Sequence, residues 1–209
     1  MQNAKIVFTD EEIQLLNDCI YIERKRMLLE KISELFQQLN EDIEELKLMY
    51  KAQLPAEAFV SKGKITKGEN LKGMTFMVLD NVRFFNRDDI FAFRTLFWWG
   101  HFFSYTIHLS GKYFELLKPV LPSVLNQLKS DGKYAGINTY QFHHHFEPDN
   151  YMPLSEFKSN ESLTNALMKN GFIKIAGKSD AGNPHDAIKD ALNFYKEFLE
   201  VLRKNTTSQ

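Results

Sequence analysis

Apolar residues in the first quarter of the chain recur at alternating three- and four-residue steps: Ile22, Leu29, Ile32, Phe36, Leu39, Ile43, Leu46 and Tyr50. Lys25 is the one polar residue on that seam. The pattern is a heptad repeat and predicts a long helix inside an N-terminal helical segment of about residues 10–53. Unbroken from 22 to 50, such a helix would run about 43 Å at about 1.5 Å per residue. A cap at Asn40-Glu41-Asp42 would divide it. Left whole, it predicts an apolar strip that pairs with a second copy, and Leu39→Asp distinguishes a dimer seam from a stripe packed within the domain.

Farther along, the period changes. Asn86, followed by Asp88 and Asp89, has the form of an N-cap with an acidic first turn, predicting an aromatic-rich helix over 87–99 that stops at Gly100. From there Phe103, Tyr105, Ile107 and Leu109 alternate with Ser104, Thr106, His108 and Ser110, the mark of a half-buried strand. The apolar run 74–80 predicts a strand central in the sheet, preceded by a Lys- and Gly-rich loop or hairpin. "KYFELLKPVLPSVLNQL" reads as helix interrupted by Pro119 and Pro122. Residues 137–146 alternate again, placing Tyr140, Phe142, His144 and Phe146 on one side and Thr139, Gln141, His143 and His145 on the other. Ser159 or Asn160 starts a helix ending at Gly171, "FIKIAG" is a strand, and Asn183-Pro184-His185-Asp186 opens a final helix with Ile188, Leu192, Tyr195, Phe198, Leu199 and Leu202 on one stripe. These elements predict a single α+β domain over 1–209, with an antiparallel or mixed sheet of about four to five strands packed by helices and a long N-terminal helix.

Composition narrows the function classes. With 44% hydrophobic residues in a chain of 209, a proper core can form. A net charge of −1, from 26 basic and 27 acidic side chains, argues against a surface built for nucleic acid or an anionic membrane. The uncharged run from Thr95 to Gly111 is shorter than the roughly 20 residues a bilayer requires, so no membrane association is expected. The sole cysteine, Cys19, cannot make an intramolecular disulfide and reads as a packed thiol. The start, "MQNAKIVFTDEE", lacks the pattern of a secretory leader, which makes the cytoplasm the expected location.

Chemistry is concentrated in three places. His108, His143 and His145 fall on the polar sides of two expected strands. Were those strands neighbours, the imidazoles would converge as a ligand pocket or as a three-histidine metal site; the alternative is hydrogen-bonded sheet histidines. Alternation sends His144 the other way, among Tyr140, Phe142 and Phe146. Arg94 sits among Ile90, Phe91, Phe93, Leu96, Phe97 and Trp98, with Asp80 as a natural partner, and reads either as a structural ion pair or as an anion-binding group facing a cleft. Lys62, Lys64, Lys67 and Lys72, interleaved with Gly63, Gly68 and Gly73, lack the GxxxxGK[ST] string of a phosphate loop and read as a solvated hairpin. No motif identifies a metal, a cofactor or a catalytic residue.

The stretches "KGENLKG" and "RDDIFAFRTLFWWGHFFSYTIHLSGKY" resemble a family of uncharacterised bacterial proteins of unknown function. The resemblance covers a minor part of the chain, implies no activity and suggests a bacterial cytoplasmic protein. On the residues, the leading expectation is a cytoplasmic binding protein whose polar sheet face, carrying His108, His143, His145 and Arg94, receives a small polar or anionic ligand. The alternative is a homodimeric interaction or scaffold protein joined through the N-terminal heptad helix. The third is a metal-dependent hydrolase using the histidines.

Overall fold

A computed structural model describes residues 6–129, 131–157 and 160–206. A seven-stranded antiparallel sheet runs through it in the order β1-β2-β3-β4-β7-β5-β6. Its strands are β1 (Lys64–Leu71), β2 (Met74–Phe85), β3 (Ile90–Trp98), β4 (Phe102–Ser110), β5 (Lys133–Gly136), β6 (Tyr151–Pro153) and β7 (Phe172–Asp180). The described helices are α1 (Asp10–Leu16), α2 (Cys19–Met49), α3 (Lys112–Leu117), α4 (Leu121–Leu128), α5 (Asn160–Asn170) and α6 (Pro184–Thr206). This is an α+β fold, but the sheet has seven strands rather than four to five. No described helix is long and apolar enough to cross a membrane.

The largest correction concerns 87–99. Residues 90–98 are strand β3, paired on both sides along its length. Every residue of β3 except Arg94 is buried, so neither face contributes polar alternation and the segment reads as a continuous apolar run. Its helix-like cap is a turn: Asn86 Oδ1 accepts from the backbone N–H of Asp88 at 2.8 Å and of Asp89 at 2.6 Å, closing the β2–β3 hairpin. The Lys- and Gly-rich segment is strand β1, returned into β2 through Lys72 and Gly73, both left-handed with φ of 49° and 82°.

Helices cover one sheet face. Met77, Phe93, Phe97, Phe103, Ile107 and Ile175 point into a core with α2, α4 and α6. There the Phe93 ring stacks on Tyr195 with centroids 4.8 Å apart, and Tyr195 Oη shares a 2.9 Å hydrogen bond with Thr95 Oγ1. Helix α2 is unbroken at Asn40, whose Oδ1 accepts from Asn81 Nδ2 of β2 at 2.7 Å instead of capping. From Ile32 onward its seam is buried within the domain, Leu39 completely. Before that the helix projects: Ile20, Tyr21, Ile22, Met27 and Leu28 are exposed, and α1 buries no residue. Cys19, on this projecting arm, is exposed rather than packed. Helix α5 begins at Asn160; Ser159, the other expected start, lies outside the described residues. Pro122 stands in the first turn of α4, so the proline-interrupted stretch forms two short helices.

The opposite face has a different cover. Residues 137–150, expected in part as a strand, form an irregular strap between β5 and β6 that crosses β7, β4 and β3.

Candidate functional site

Cross-strand register assembles the residues beneath the strap. Asp80, Arg94, Thr106 and Ala176 form one row across β2, β3, β4 and β7, and Ala92, His108 and Lys174 form the next. Residues opposite one another in an antiparallel ladder share a face, so these side chains are brought together by pairing alone. Gly136 of β5 lies beside Lys174; a Cβ there would stand 2.9 Å from the lysine's own Cβ, so glycine leaves the lysine stem its room.

Arg94 is held from two sides. Its Nε donates to Asp80 Oδ1 at 2.7 Å and its Nη2 to Oδ2 at 2.9 Å, a bidentate pair, while Nη1 lies 3.1 Å from His144 Nε2. Guanidinium has no acceptor, so His144 accepts through Nε2 and is neutral, with its proton on Nδ1. Burial, followed by the charge of Arg94, holds His144 well below the ordinary histidine range. His108 is buried with Nε2 2.9 Å from Gln141 Oε1 on the strap, which as a carboxamide oxygen accepts. Desolvation, then the charge of Lys174, lowers His108 to about 3 against the opposing hydrogen bond that it donates to Gln141.

Lys174 is the unexpected member. It is 2% exposed, its Nζ donates to the carbonyl of His143 at 2.6 Å, and it lies 4.8 Å from the Tyr151 ring centroid. Burial and, after it, Arg94 lower its pKa to about 7. None of the ion pairs among the described residues includes it. Its signal in the sequence was a lysine between Ile173 and Ile175 in the otherwise apolar first part of the strand, residues 172–177.

The histidines are distributed otherwise than strand alternation implied. His143 and His145 do lie side by side, with ring centroids 5.2 Å apart, but on the strap. His144 reaches Arg94 instead of packing among Tyr140, Phe142 and Phe146. Phe142 packs on His108, and Phe146 on Phe102, Tyr134 and Tyr151. His108, His143 and His145 do not assemble as one ligand set; among the described residues the group whose donor atoms all lie within 4.8 Å is His145, Glu147 and Asp149. Burial lowers His145 although Glu147 and Asp149 oppose the shift.

A recess of about 280 Å³ opens beside the strap, lined by Leu71, Lys72, Trp98, Phe142 and the three consecutive histidines. Lys72 also forms an ion pair with Glu147. Behind His144 stands Arg94, so the recess wall is coupled to the buried charge row by one hydrogen bond. A second cavity, about 310 Å³, shares no residue with this one and is lined mostly by apolar side chains such as Leu54, Phe91, Leu109 and Leu117. It contains no comparable set of charged groups, which makes the strap-side recess the better candidate site.

Comparison of the chain with family models, with curated proteins and with solved structures finds no match.

Proposed function

We propose that the protein binds a small anionic molecule, a carboxylate or a phosphate, in the recess beside the strap. The observation that carries the reading is Lys174. Arg94 and Lys174 lie on one covered sheet face where Asp80 is committed to Arg94, and Lys174 has a carbonyl rather than a carboxylate as partner. Neither side chain lines the recess, but behind its histidine wall they place cationic charge in excess, the share of Lys174 being present below about pH 7, and such charge attracts a diffusible anion. Lys72 at the rim supplies a half-exposed ammonium that it shares with Glu147, and the imidazoles supply orientable donors.

Trp98 lines the recess and reports on its occupancy. Titration with inorganic phosphate, acetate and citrate should give a saturable change in tryptophan fluorescence for at least one of them. Lys72→Met and Lys174→Met should each weaken that binding about tenfold, with circular dichroism confirming the fold. Absence of any saturable response at millimolar anion, or affinity unchanged in both variants, rejects the reading.

The projecting arm favours a second reading, a homodimer. Eleven large apolar side chains between Ile6 and Leu28 are exposed. At about 60–100 Å² each, they supply the roughly 800 Å² per partner of a standard interface. A second copy of the same arm is the occupant this reading requires. Sedimentation of Ile20→Asp tests it: a folded monomer against a dimeric parent supports the arm as interface, and a monomeric parent removes it.

A further inference from the structure

The strap carries a second constellation whose chemistry differs from the anion recess. His145, Glu147 and Asp149 occupy alternate positions of "HFEPD", and one donor atom from each lies within 4.8 Å of the other two. His145 Nδ1 stands 3.5 Å from Glu147 Oε2 and 3.9 Å from Asp149 Oδ1, both too far for a good hydrogen bond. Two ligands on one ion at about 2.1 Å, in tetrahedral arrangement, stand about 3.4 Å apart. The spacing suits a shared cation better than direct bonds.

An independent observation points the same way. The Nδ1 atom of His145 is buried and has no hydrogen-bond partner among the described residues, and the same holds for Nδ1 of His143 beside it. Buried ring nitrogens are normally satisfied, so a nitrogen directed at two carboxylates with no protein partner is a donor free to take a ligand. The turn that carries the donors is pinned from outside. Asn150 Nδ2 donates to the carbonyl of His145 at 2.5 Å, Asn138 Nδ2 to that of Asp149 at 3.2 Å, and the carbonyl of Glu147 accepts from the backbone N–H of Asn150 and Tyr151. Backbone restraint of this kind preorganises ligands before the ion arrives. Glu147 Oε1, the oxygen away from His145, is already taken by the ammonium of Lys72, a tethered cation beside the site. Glu147 and Asp149 are otherwise exposed, leaving coordination positions open to solvent.

We propose that His145, Glu147 and Asp149 bind a divalent first-row transition ion, with His145 Nδ1 and one oxygen from each carboxylate as protein ligands and water completing the shell. One imidazole with two carboxylates is a borderline nitrogen and oxygen set that suits Zn2+, Mn2+ or Fe2+, whereas the hard ions Mg2+ and Ca2+ make little use of an imidazole. The site adjoins the recess, since His145 and Lys72 line it, and goes beyond the anion reading.

Isothermal titration of the chelator-treated full chain with Zn2+, and of Mn2+ by electron paramagnetic resonance, tests the site. One ion per chain at micromolar dissociation constant is expected. His145→Ala and Glu147→Gln should each weaken binding at least about tenfold, while removal of the exposed His101 or His185 leaves it unchanged. Lys72→Met should tighten binding severalfold, because the competing ammonium is gone. The same variant weakens phosphate binding in the anion reading, so the two readings fail separately. Failure to bind either ion stoichiometrically below millimolar concentration, or binding that survives the double variant His145→Ala and Glu147→Gln, overturns the assignment.

Discussion

The two faces of the sheet are built from the same strands, yet they solve different problems. Toward the helices, Met77, Phe93, Phe103, Ile107 and Ile175 meet elements whose backbone groups are satisfied internally, so the layer can be almost entirely apolar. Toward the strap, the alternate residues are Asp80, Arg94, Thr106, His108 and Lys174. An irregular segment brings unpaired carbonyls with it: of this polar set Lys174 takes that of His143, while Asn150 of the strap itself takes that of His145 and Asn170 of α5 takes those of Ile137 and Asn138. Polarity on this face therefore has a structural use as well as a candidate ligand-binding one. What exceeds the structural need is charge, because a neutral donor would satisfy the His143 carbonyl as well as Lys174 does.

The largest expected effect falls on the helix side. Leu39→Asp buries a carboxylate in the α2 core and should cost about 4 kcal/mol or more, unfolding the chain. Ile20→Asp on the exposed arm of the same helix should change the stability of the folded monomer by less than about 0.5 kcal/mol. Loss of the circular dichroism signal in the first and its retention in the second would separate the intramolecular stripe from the projecting one; a folded, soluble Leu39→Asp would break the comparison.

On the strap side, the Asp80–Arg94 pair should show non-additivity. Arg94→Met strands the mostly covered carboxylate of Asp80 and should cost about 3 kcal/mol, whereas Arg94→Met with Asp80→Leu should cost less than the single change. Urea midpoints of the two singles and the double provide the cycle. If the costs simply add, the pair is not an energetic unit.

Smaller effects follow from protonation. Lys174, lowered to about 7 in the fold, binds fewer protons than the unfolded chain between about pH 7 and the ordinary lysine value. Its contribution to stability therefore rises with pH across that window, and the penalty for burying the charge is greatest below it. Lys174→Met should stabilise the protein by about 1–2 kcal/mol at pH 6 and by less at pH 10, where the parent lysine is already neutral. Thermal melts at both pH values decide this, and an equal effect at each would refute it. His108, lowered to about 3, places the corresponding slope between about pH 3 and the ordinary histidine value. His108→Phe should flatten the acid limb there, with an effect near pH 7 of about 1 kcal/mol, one hydrogen bond. An unchanged acid limb counts against burial of a neutral imidazole.

Legibility in the sequence followed how each residue is covered. Strand β4 was readable because Ser104, Thr106 and His108 interrupt its apolar residues at period two, and α6 because only one stripe of it is apolar. The Asp80–Arg94 pair was readable from residue chemistry, although through a helix that does not exist. Strand β3 was not readable: both its faces are buried and nearly all apolar, so it has no period for a sequence to display, whereas β4, predicted half-buried but in fact buried on both faces, keeps its period because its strap-side face is polar. The strap failed for the opposite reason. Its alternation of aromatic and histidine residues imitates a strand, while its backbone bonds locally and to side chains from β7 and from α5. His145 was a candidate from the sequence, but His144, Lys174 and the grouping of His145 with Glu147 and Asp149 emerged only when the strap was laid over the sheet.

Local periodicity and turn chemistry thus decide which segments of this chain can become helix or strand, because they depend on neighbours three or four residues away. Tertiary structure decides which charges meet. Arg94 and Lys174 are eighty positions apart, and they share a face only because β4 lies between β3 and β7 in a register that puts Thr106 beside one and His108 beside the other. Register and strand order arise from burying the whole sheet at once, a free energy that no window of sequence contains.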